Sequence, residues 1–165
     1  MSGDFGTAYD QQVKRVYGYF AYRVGARETA EDLTQQTFER ALAAWDRFDP
    51  SRAPLGAWLM TIAGNLLVDH YRARVAERGD PLEAVPEERL GTVDPESDLG
   101  LDADLARALD RLSPRERELL ALRFGADMTG PEIAAATELS LANVQQILSR
   151  TLRRLRSELE TTSVR

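Results

Sequence analysis

The chain has 165 residues, 43% of them hydrophobic and 29% charged, and contains no cysteine. This length suits one medium domain or two small ones, and the composition is ordinary for a soluble globular protein. Without cysteine the chain forms no disulfide and no thiolate zinc site. No apolar run approaches the ~20 residues that a membrane span needs, and the N-terminus, MSGDFGTAYD, lacks a signal-peptide pattern. We therefore expect a cytoplasmic protein with no cofactor, no metal and no membrane insertion.

The net charge of −6 is concentrated in one segment. Residues 77–104 hold ten acidic side chains and two arginines, whereas the rest of the chain holds 17 acidic and 19 basic side chains. The overall acidity therefore does not argue against a nucleic-acid partner. Within this segment, residues 77–98 contain three prolines, two glycines and little apolar periodicity, which is typical of a flexible linker. It separates a first block, at 4–76, from a second block, at 99–160.

Both blocks show helical periods and no alternating strand pattern. In the first block, apolar residues recur at helical spacing in three stretches, 9–24, 29–45 and 55–72, which predict three helices. Gly25 follows the first stretch and ends its helix. The prolines of "DPSRAP" separate the second helix from the third, because proline disfavours a continuing helix.

The third predicted helix has two distinct faces. Its apolar face consists of Leu55, Leu59, Ile62, Ala63 and Leu66, and the opposite face consists of Thr61, Asn65, Val68 and Arg72. The two tryptophans can each either pack in the core or make an exposed binding contact. We expect Trp45 in the hydrophobic core, whereas Trp58 lies at the edge of the apolar face and suits either core packing or an exposed contact.

The second block carries clear helix-start signals. Ser113 in "SPRE" and Thr129 in "TGPE" are N-cap residues, each followed by proline or glycine and by a glutamate at the capping-box position. Ser140 can cap a further helix. These signals predict one helix after Ser113, a short helix at 131–137, and, after a tight turn, a long helix at 141–159.

A short helix followed by a longer one is the helix-turn-helix arrangement, in which the start of the second helix contacts base edges. Asn143 and Gln146 lie opposite the apolar stripe of the long helix, and their amides suit pairing with adenine. Further along, Arg150 and Arg153 suit phosphate contacts. A solvated polar face on a bundle helix is the alternative interpretation of the same pattern.

Two long segments resemble conserved regions of one protein family. The stretch "AEDLTQQTFERALAAWDRFDP" followed by "LGAWLMTIAGNLLVDHYR" resembles region 2 of the extracytoplasmic-function (ECF) sigma factors of the sigma-70 superfamily. The stretch "LSPRERELLALRFGADMTGPEIAAATELSLANVQQILSRTLRRLR" resembles their region 4. Together the two cover nearly the whole chain, in the family's order. The resemblance implies an all-α protein of two small helical domains, a region 2 three-helix bundle and a region 4 helix-turn-helix, joined by the flexible acidic linker.

The resemblance also implies three sets of binding residues. The set that binds the clamp helices of core RNA polymerase is Asp32, Leu33, Gln35, Gln36 and Phe38. The set that recognises the minus-ten promoter element and holds the melted non-template strand is Trp58, Thr61, Asn65 and Arg72. The set that recognises the duplex minus-thirty-five element is Ala142, Asn143, Gln145, Gln146, Ser149, Arg150 and Arg153.

The partners implied by the resemblance are core RNA polymerase (its clamp helices and flap), promoter DNA and an anti-sigma factor, and a monomer is expected when the chain is free. The linker either passes through channels of the polymerase or is a plain solvated tether. No paired carboxylates, glycine-rich phosphate loop or nucleophile–base pair point to catalysis. The alternative function is a stand-alone helix-turn-helix regulator, which would bind duplex DNA without polymerase and needs a dimerisation element that the sequence does not reveal.

The chain departs from the family pattern at three places. Residues 143–147 read Asn-Val-Gln-Gln-Ile, where relatives often have Thr-Val, a basic residue and Ser-Arg, which predicts fewer phosphate contacts. Glu138 occupies a turn position that glycine often holds, at a cost of about 1–2 kcal/mol if that residue is left-handed. Gln36 and Gly64 replace an acidic and a basic residue, respectively. These departures bear on which promoter is recognised.

Overall fold

The computed structural model describes residues 3–77, 79 and 103–163, and within these ranges all regular secondary structure is helical. The helices are α1 (Phe5–Val24), α2 (Arg27–Ala43), a short 3-10 helix (Trp45–Arg47), α3 (Leu55–Glu77), α4 (Ala103–Asp110), α5 (Pro114–Leu120), which continues as a π-helical turn (Ala121–Gly125), α6 (Gly130–Thr137) and α7 (Leu141–Ser163). The all-α fold class is confirmed. None of the described helices combines the length and hydropathy of a membrane span. Apart from Glu77 and Gly79, the predicted linker at 77–98 lies outside the described residues.

The predicted helix starts in the second half of the chain are confirmed. The Ser113 hydroxyl accepts a hydrogen bond from the Glu116 backbone N–H, and the Glu116 carboxylate accepts one from the Ser113 N–H. The same reciprocal pair opens α6. The Ser140 hydroxyl accepts from the Asn143 N–H at 3.1 Å. These bonds satisfy backbone donors that every helix start leaves unpaired.

Helices α1, α2 and α3 pack together around a shared apolar core. On α3, Leu59, Ala63 and Leu66 are buried, whereas Thr61 and Asn65 on the other side are exposed, as the predicted faces require. The helix continues to Glu77, five residues beyond its predicted end. The polar face of α3 is thus left open to solvent on a helix that the bundle holds firmly.

Trp45 is not a core residue, and its predicted placement is wrong. Helix α2 ends at Ala43, so Trp45 falls in the 3-10 helix, where it is half-buried. Its indole N–H donates to the Gly3 carbonyl at 3.1 Å, and its ring stacks on Phe48 with centroids 5.4 Å apart. The polar indole edge and the early end of α2 together place this ring at the surface.

Helix α4 and the buried row of α7 also differ from the expectation. Helix α4, which the sequence did not predict, is anchored by a small cluster of Ala108, Leu109, Leu112, Leu120 and Leu155. On α7, the polar residue Thr151 is buried, whereas the apolar residue Leu152 next to it is 41% exposed. Thr151 lies on the same side of the helix as the buried residues Val144 and Leu155, and its hydroxyl donates to the Glu116 carboxylate at 2.9 Å.

The two helical groups contact each other directly, through α1 and the segment from α5 to α6. One apolar cluster includes Phe20 and Leu66 of the first group together with Leu119 and Ile133 of the second. Polar bonds reinforce this contact, since the Tyr19 hydroxyl lies 2.9 Å from both carboxylate oxygens of Glu118. The chain therefore adopts a closed arrangement, which no pattern in the sequence had indicated.

Candidate nucleic-acid interface

The predicted contacts on α7 share one exposed surface. Helix α7 begins at Leu141, directly after the turn from α6, and its buried residues Val144 and Leu155 hold it against the rest of the second group. The side chains exposed on its first half and middle include Ala142, Asn143, Gln145, Gln146, Ser149, Arg150 and Arg153. The structure brings all seven predicted residues together, with the amides at the start of the helix and the arginines one to three turns later.

The turn between α6 and α7 has the left-handed residue that the helix-turn-helix pattern requires. Glu138 caps α6 with φ of 60° and ψ of 24°, in the left-handed region. A residue with a Cβ atom pays about 1–2 kcal/mol for this conformation. Glu138 therefore adopts the left-handed conformation at a cost in stability.

Glu116 links the start of α5 to α7, a connection that the sequence signalled only as a capping box. Its carboxylate accepts hydrogen bonds from the Ser113 N–H at 3.1 Å, from the Thr151 hydroxyl at 2.9 Å and from Arg154 Nη2 at 2.6 Å. Burial alone raises the pKa of Glu116, but the bonds from Arg154, the Ser113 backbone and Thr151 outweigh burial and hold this pKa below its ordinary value. The carboxylate is thus ionised and paired at neutral pH.

Beside Glu116 lies a cleft between α5 and α7 of about 340 Å³. Three arginines line it, Arg115 from α5 and Arg150 and Arg154 from α7. Of these three, Arg154 forms an ion pair with Glu116. Its guanidinium therefore differs in its surroundings from those of Arg115 and Arg150. Only the tertiary structure distinguishes Arg154 from the other arginines of α7.

On α3, the polar residues predicted for the minus-ten element lie on one side. Thr61, Asn65 and Arg72 are all exposed, and the Thr61 hydroxyl donates to the Ala57 carbonyl one turn earlier. Steps of four and seven residues along a helix return to nearly the same direction, so these three side chains form one strip about 16 Å long. The strip is available to a single strand that runs along the helix.

Trp58 stands apart from this strip. Its ring is half-buried and packs 4.7 Å from Phe48 and 6.1 Å from Trp45, centroid to centroid. These rings continue to Phe5, which lies 5.2 Å from Trp45. Trp58 therefore belongs to an aromatic cluster at the start of α3, with part of its ring still accessible.

The predicted polymerase-binding residues of α2 divide into exposed and buried members. Asp32, Gln35 and Gln36 are exposed, whereas Leu33 lies in the core. Phe38 is also buried, and its ring forms part of the floor of a groove between α1 and α2. The polar side chains of α2 are thus the ones that a partner reaches first.

The groove between α1 and α2 has a volume of about 680 Å³ and an apolar lining. Its walls include the exposed Tyr9 ring and the exposed Leu42 side chain, and Gln35 lies on its rim. Tyr9 packs edge-on against Phe38 with centroids 4.7 Å apart. The groove adjoins the exposed polar face of α2, so the two form one continuous surface.

The single histidine and the acidic residues form no metal site in the described ranges, where no cluster of three such side chains has a suitable arrangement. His70 is half-buried on α3, with its ring centroid 5.6 Å from that of Tyr71. Burial lowers the pKa of His70, and the Arg74 guanidinium lowers it further, so the neutral imidazole is favoured. We place His70 among the packing residues of α3.

Comparison with known protein families assigns the two helical groups. The model of sigma-70 region 2 matches residues 8–77, and the model of sigma-70 region 4 matches residues 108–157. The first match contains α1, α2 and α3 almost entirely, and the second contains the helix-turn-helix of α6 and most of α7.

Individual relatives agree with both matches. The chain is 38% identical over 158 residues to the ECF RNA polymerase sigma factor BldN of Streptomyces coelicolor, covering 92% of this chain and 60% of that one. It is 35% identical to the ECF RNA polymerase sigma factor SigE of Mycolicibacterium smegmatis, covering 90% and 59%. It is 34% identical to the RNA polymerase sigma-E factor of Streptomyces antibioticus, covering 80% and 71%. The chain thus spans about 60% of the length of the first two relatives.

Two solved structures share the fold over most of the chain. The sigma factor RpoE in complex with the anti-sigma factor NepR from Bartonella quintana superposes with a TM-score of 0.71 at 26% identity, covering 95% of this chain and 97% of that one. CnrH in complex with the cytosolic domain of CnrY gives a TM-score of 0.65 at 28% identity, covering 95% and 88%. The chain belongs to the ECF sigma factors of the sigma-70 family.

Proposed function

We propose that this chain is a promoter-specificity subunit that binds bacterial core RNA polymerase and directs it to start transcription at particular promoters. It acts in the cytoplasm by binding and contributes no catalytic group. The observation that carries the proposal is the presence of two separate exposed polar faces, on α3 and on α7, in the two halves that match regions 2 and 4.

The chemistry of α7 suits recognition of duplex DNA at the minus-thirty-five element. Amide side chains such as Asn143 and Gln146 form bidentate hydrogen bonds with adenine in the major groove, each pair being worth about 1–3 kcal/mol of discrimination. Arg150 and Arg153 follow on the exposed surface and suit phosphate. The uncharged start of the helix thus selects sequence, and its later turns add affinity.

The chemistry of α3 suits the melted strand of the minus-ten element. Unpaired bases are held by hydrogen bonds to their exposed edges and by stacking on aromatic rings, at about 1–3 kcal/mol per stacked base. Asn65 supplies donors and an acceptor for a base edge, and Arg72 supplies charge for the backbone. Trp58, about one turn before Thr61 on α3, contributes the accessible part of its ring.

Core RNA polymerase is the partner that we propose for the surface of α1 and α2. Gln35 lines the apolar groove, which accepts the apolar side of a helix, and Asp32 and Gln36 are exposed on the same helix. The polymerase clamp supplies such helices in the family that the chain resembles, and its flap is the corresponding contact for the second group.

The closed arrangement has to open for this function. The elements centred near −10 and −35 lie about 25 base pairs apart, which is about 85 Å along a duplex at 3.4 Å per base pair. A compact chain of this length has a radius of gyration of about 15 Å, and thus a diameter of about 40 Å. Helices α3 and α7 cannot reach both elements while α1 packs on the π-helical turn, so polymerase binding separates the two groups.

An anti-sigma factor is the second partner that we propose. The two solved structures described above are both complexes, one with the anti-sigma factor NepR and one with the cytosolic domain of CnrY. Their sigma chains superpose over both helical groups, which supports a partner that binds this chain while the groups are closed. Such a partner would prevent the separation that promoter binding requires.

Reconstitution with core polymerase tests the proposal. The folded chain should associate with core enzyme and start transcription at discrete genomic sites, which sequencing of transcript 5′ ends identifies. Failure of the folded chain to bind core enzyme contradicts the proposal. A stand-alone regulator would instead bind a specific duplex equally well without polymerase.

Two single variants assign the surfaces within this experiment. Asn65→Ala should reduce promoter opening, measured as permanganate reactivity of unpaired thymines, and leave core binding unchanged. Gln36→Ala is the matched control, since it also truncates an exposed amide but should weaken core binding. Equal loss of both activities in Asn65→Ala would contradict the role of α3.

A further inference from the structure

Helix α5 carries two glutamates that serve different neighbours. Successive helix residues are about 100° apart, so Glu116 and Glu118 point to opposite sides of the helix. Glu118 faces α1, where it binds Tyr19 and Arg23. Glu116 faces α7, the helix that carries the candidate minus-thirty-five contacts. The geometry of Glu116 therefore bears on how α7 is presented to DNA.

The bond between Glu116 and Thr151 adds to the packing of Val144 and Leu155 in fixing the rotation of α7. Thr151 is 2% exposed, and its hydroxyl donates to the Glu116 carboxylate. A buried hydroxyl that loses its partner costs about 1–3 kcal/mol, so the helix cannot rotate about its axis without a penalty. Glu116 is itself held in place by the Ser113 N–H, and its side chain is only 20% exposed. The carboxylate is thus held in one position, from which it accepts the hydrogen bond of Thr151 on α7.

The bond between Glu116 and Arg154 occupies a guanidinium at the edge of the DNA-facing surface. On a helical wheel, Arg154 lies about 20° from Asn143 and about 40° from Arg150. The Arg154 side chain is 48% exposed, so it is accessible to a phosphate. Its Nη2 atom nevertheless lies 2.6 Å from Glu116, and the negative charge of this carboxylate repels a phosphate at the same place.

We propose that Glu116 is a positioning residue for minus-thirty-five recognition, which orients α7 through Thr151 and withholds Arg154 from the DNA backbone. This inference rests on the proposed function of α7. Withholding one arginine lowers the affinity that is independent of sequence, and so leaves more of the binding to the amides at the start of the helix. Of the four arginines between residues 150 and 156, Arg154 would thus be the one held back from phosphate.

The salt dependence of DNA binding tests this proposal. The full chain is measured on two 30-base-pair duplexes, a promoter identified by the transcript mapping and a scrambled version of it, over a series of salt concentrations. Each phosphate contact adds about 0.9 to the slope of log K against log salt. The variants are Glu116→Gln, which keeps the size and the hydrogen-bonding oxygen but removes the charge, Arg154→Gln, and the double variant.

Glu116→Gln should bind the scrambled duplex more tightly, with a slope steeper by about one contact, and should discriminate less between the two duplexes. Arg154→Gln alone should leave the slope unchanged, and the double variant should return to the slope of the parent chain. A tighter complex with a steeper slope distinguishes this role from simple destabilisation. A destabilised helix would bind both duplexes more weakly and would not gain a phosphate contact.

Two results would overturn the inference. One is an unchanged slope in Glu116→Gln with an unchanged far-ultraviolet circular dichroism spectrum. The other is a slope that falls by about one contact in Arg154→Gln, which would mean that Arg154 already binds phosphate. The comparison of slopes on the scrambled duplex does not depend on a promoter, so failure of the proposed function, seen as no transcription start with core polymerase, is separate from failure of this inference.

Discussion

The backbone of Gly18, in the middle of α1, lies directly against the backbone of Gly125, at the end of the π-helical turn. A Cβ atom added to Gly18 would come within 2.0 Å of the Gly125 carbonyl oxygen, and one added to Gly125 would come within 2.4 Å of the Gly18 carbonyl oxygen. Because both obstacles are backbone atoms, neither can move without displacing a helix. The closed arrangement thus requires glycine at both positions.

Gly18→Ala should therefore separate the two helical groups. Alanine is favoured over glycine within a helix by about 0.5–1 kcal/mol, so α1 itself should remain folded. We expect a larger radius of gyration by small-angle X-ray scattering and faster proteolysis between the groups. Gly64→Ala is the control, since its added Cβ would lie 4.0 Å from the Tyr19 hydroxyl and meet no closer obstacle. A Gly18→Ala chain as compact as the parent would contradict this account.

Tyr19 makes the contact between the groups sensitive to alkaline pH. Burial raises the pKa of Tyr19 well above its ordinary value of 10.0, and the Glu118 carboxylate raises it further. Because the folded-state pKa exceeds the unfolded one, the resulting stability is complete below pH 10 and is lost as pH rises above it, by up to about 1.4 kcal/mol per pH unit.

Thermal melting between pH 8 and 11 measures this effect. The parent chain should lose stability above pH 10 more steeply than Tyr19→Phe, which has no phenol to ionise at this position but keeps Tyr71, whose pKa burial also raises. At pH 8 the variant should already be less stable, because it lacks the bond to Glu118. Parallel curves for the two chains above pH 10 would refute the role of Tyr19.

Glu138→Gly should stabilise the helix-turn-helix. Glycine adopts the left-handed conformation of residue 138 without the steric cost that glutamate pays, although it gains backbone freedom in the unfolded chain. We expect a net increase in the free energy of unfolding of about 0.5–1 kcal/mol by urea denaturation. Glu138→Ala removes the same charge but keeps the Cβ atom, so it should not give this gain. Equal stabilisation by both variants would point to charge instead of backbone strain.

Asn143 and Arg153 should contribute differently to duplex binding. Asn143→Ala should reduce discrimination between the promoter and a scrambled duplex by about 1–3 kcal/mol and leave the salt slope unchanged. Arg153→Ala should weaken binding to both duplexes alike and lower the slope by about 0.9. Fluorescence anisotropy titrations at several salt concentrations separate the two effects. A changed slope in Asn143→Ala would be inconsistent with a contact to a base edge.

The helix starts and faces could be predicted because their causes are local. Ser113, Thr129 and Ser140 cap the helices that follow them, since a hydroxyl reaches backbone donors only two or three residues away. The exposed face of α3 followed from helical period alone, because burial repeats every three to four residues. The predicted placement of Trp45 was wrong, because α2 ends at Ala43 and the ring contacts Phe5 and Trp58, which are distant in sequence.

The all-α class, the family, the capped helix-turn-helix and the amide-rich start of α7 could be predicted from the sequence. These features depend on short spacings along the chain, which the backbone geometry of a helix converts directly into faces and caps. The closed contact at Gly18 and Gly125, the bond from Tyr19 to Glu118 and the capture of Arg154 by Glu116 were decided by the tertiary structure. Each joins residues 38 or more positions apart, and only packing of the folded chain brings such residues into contact.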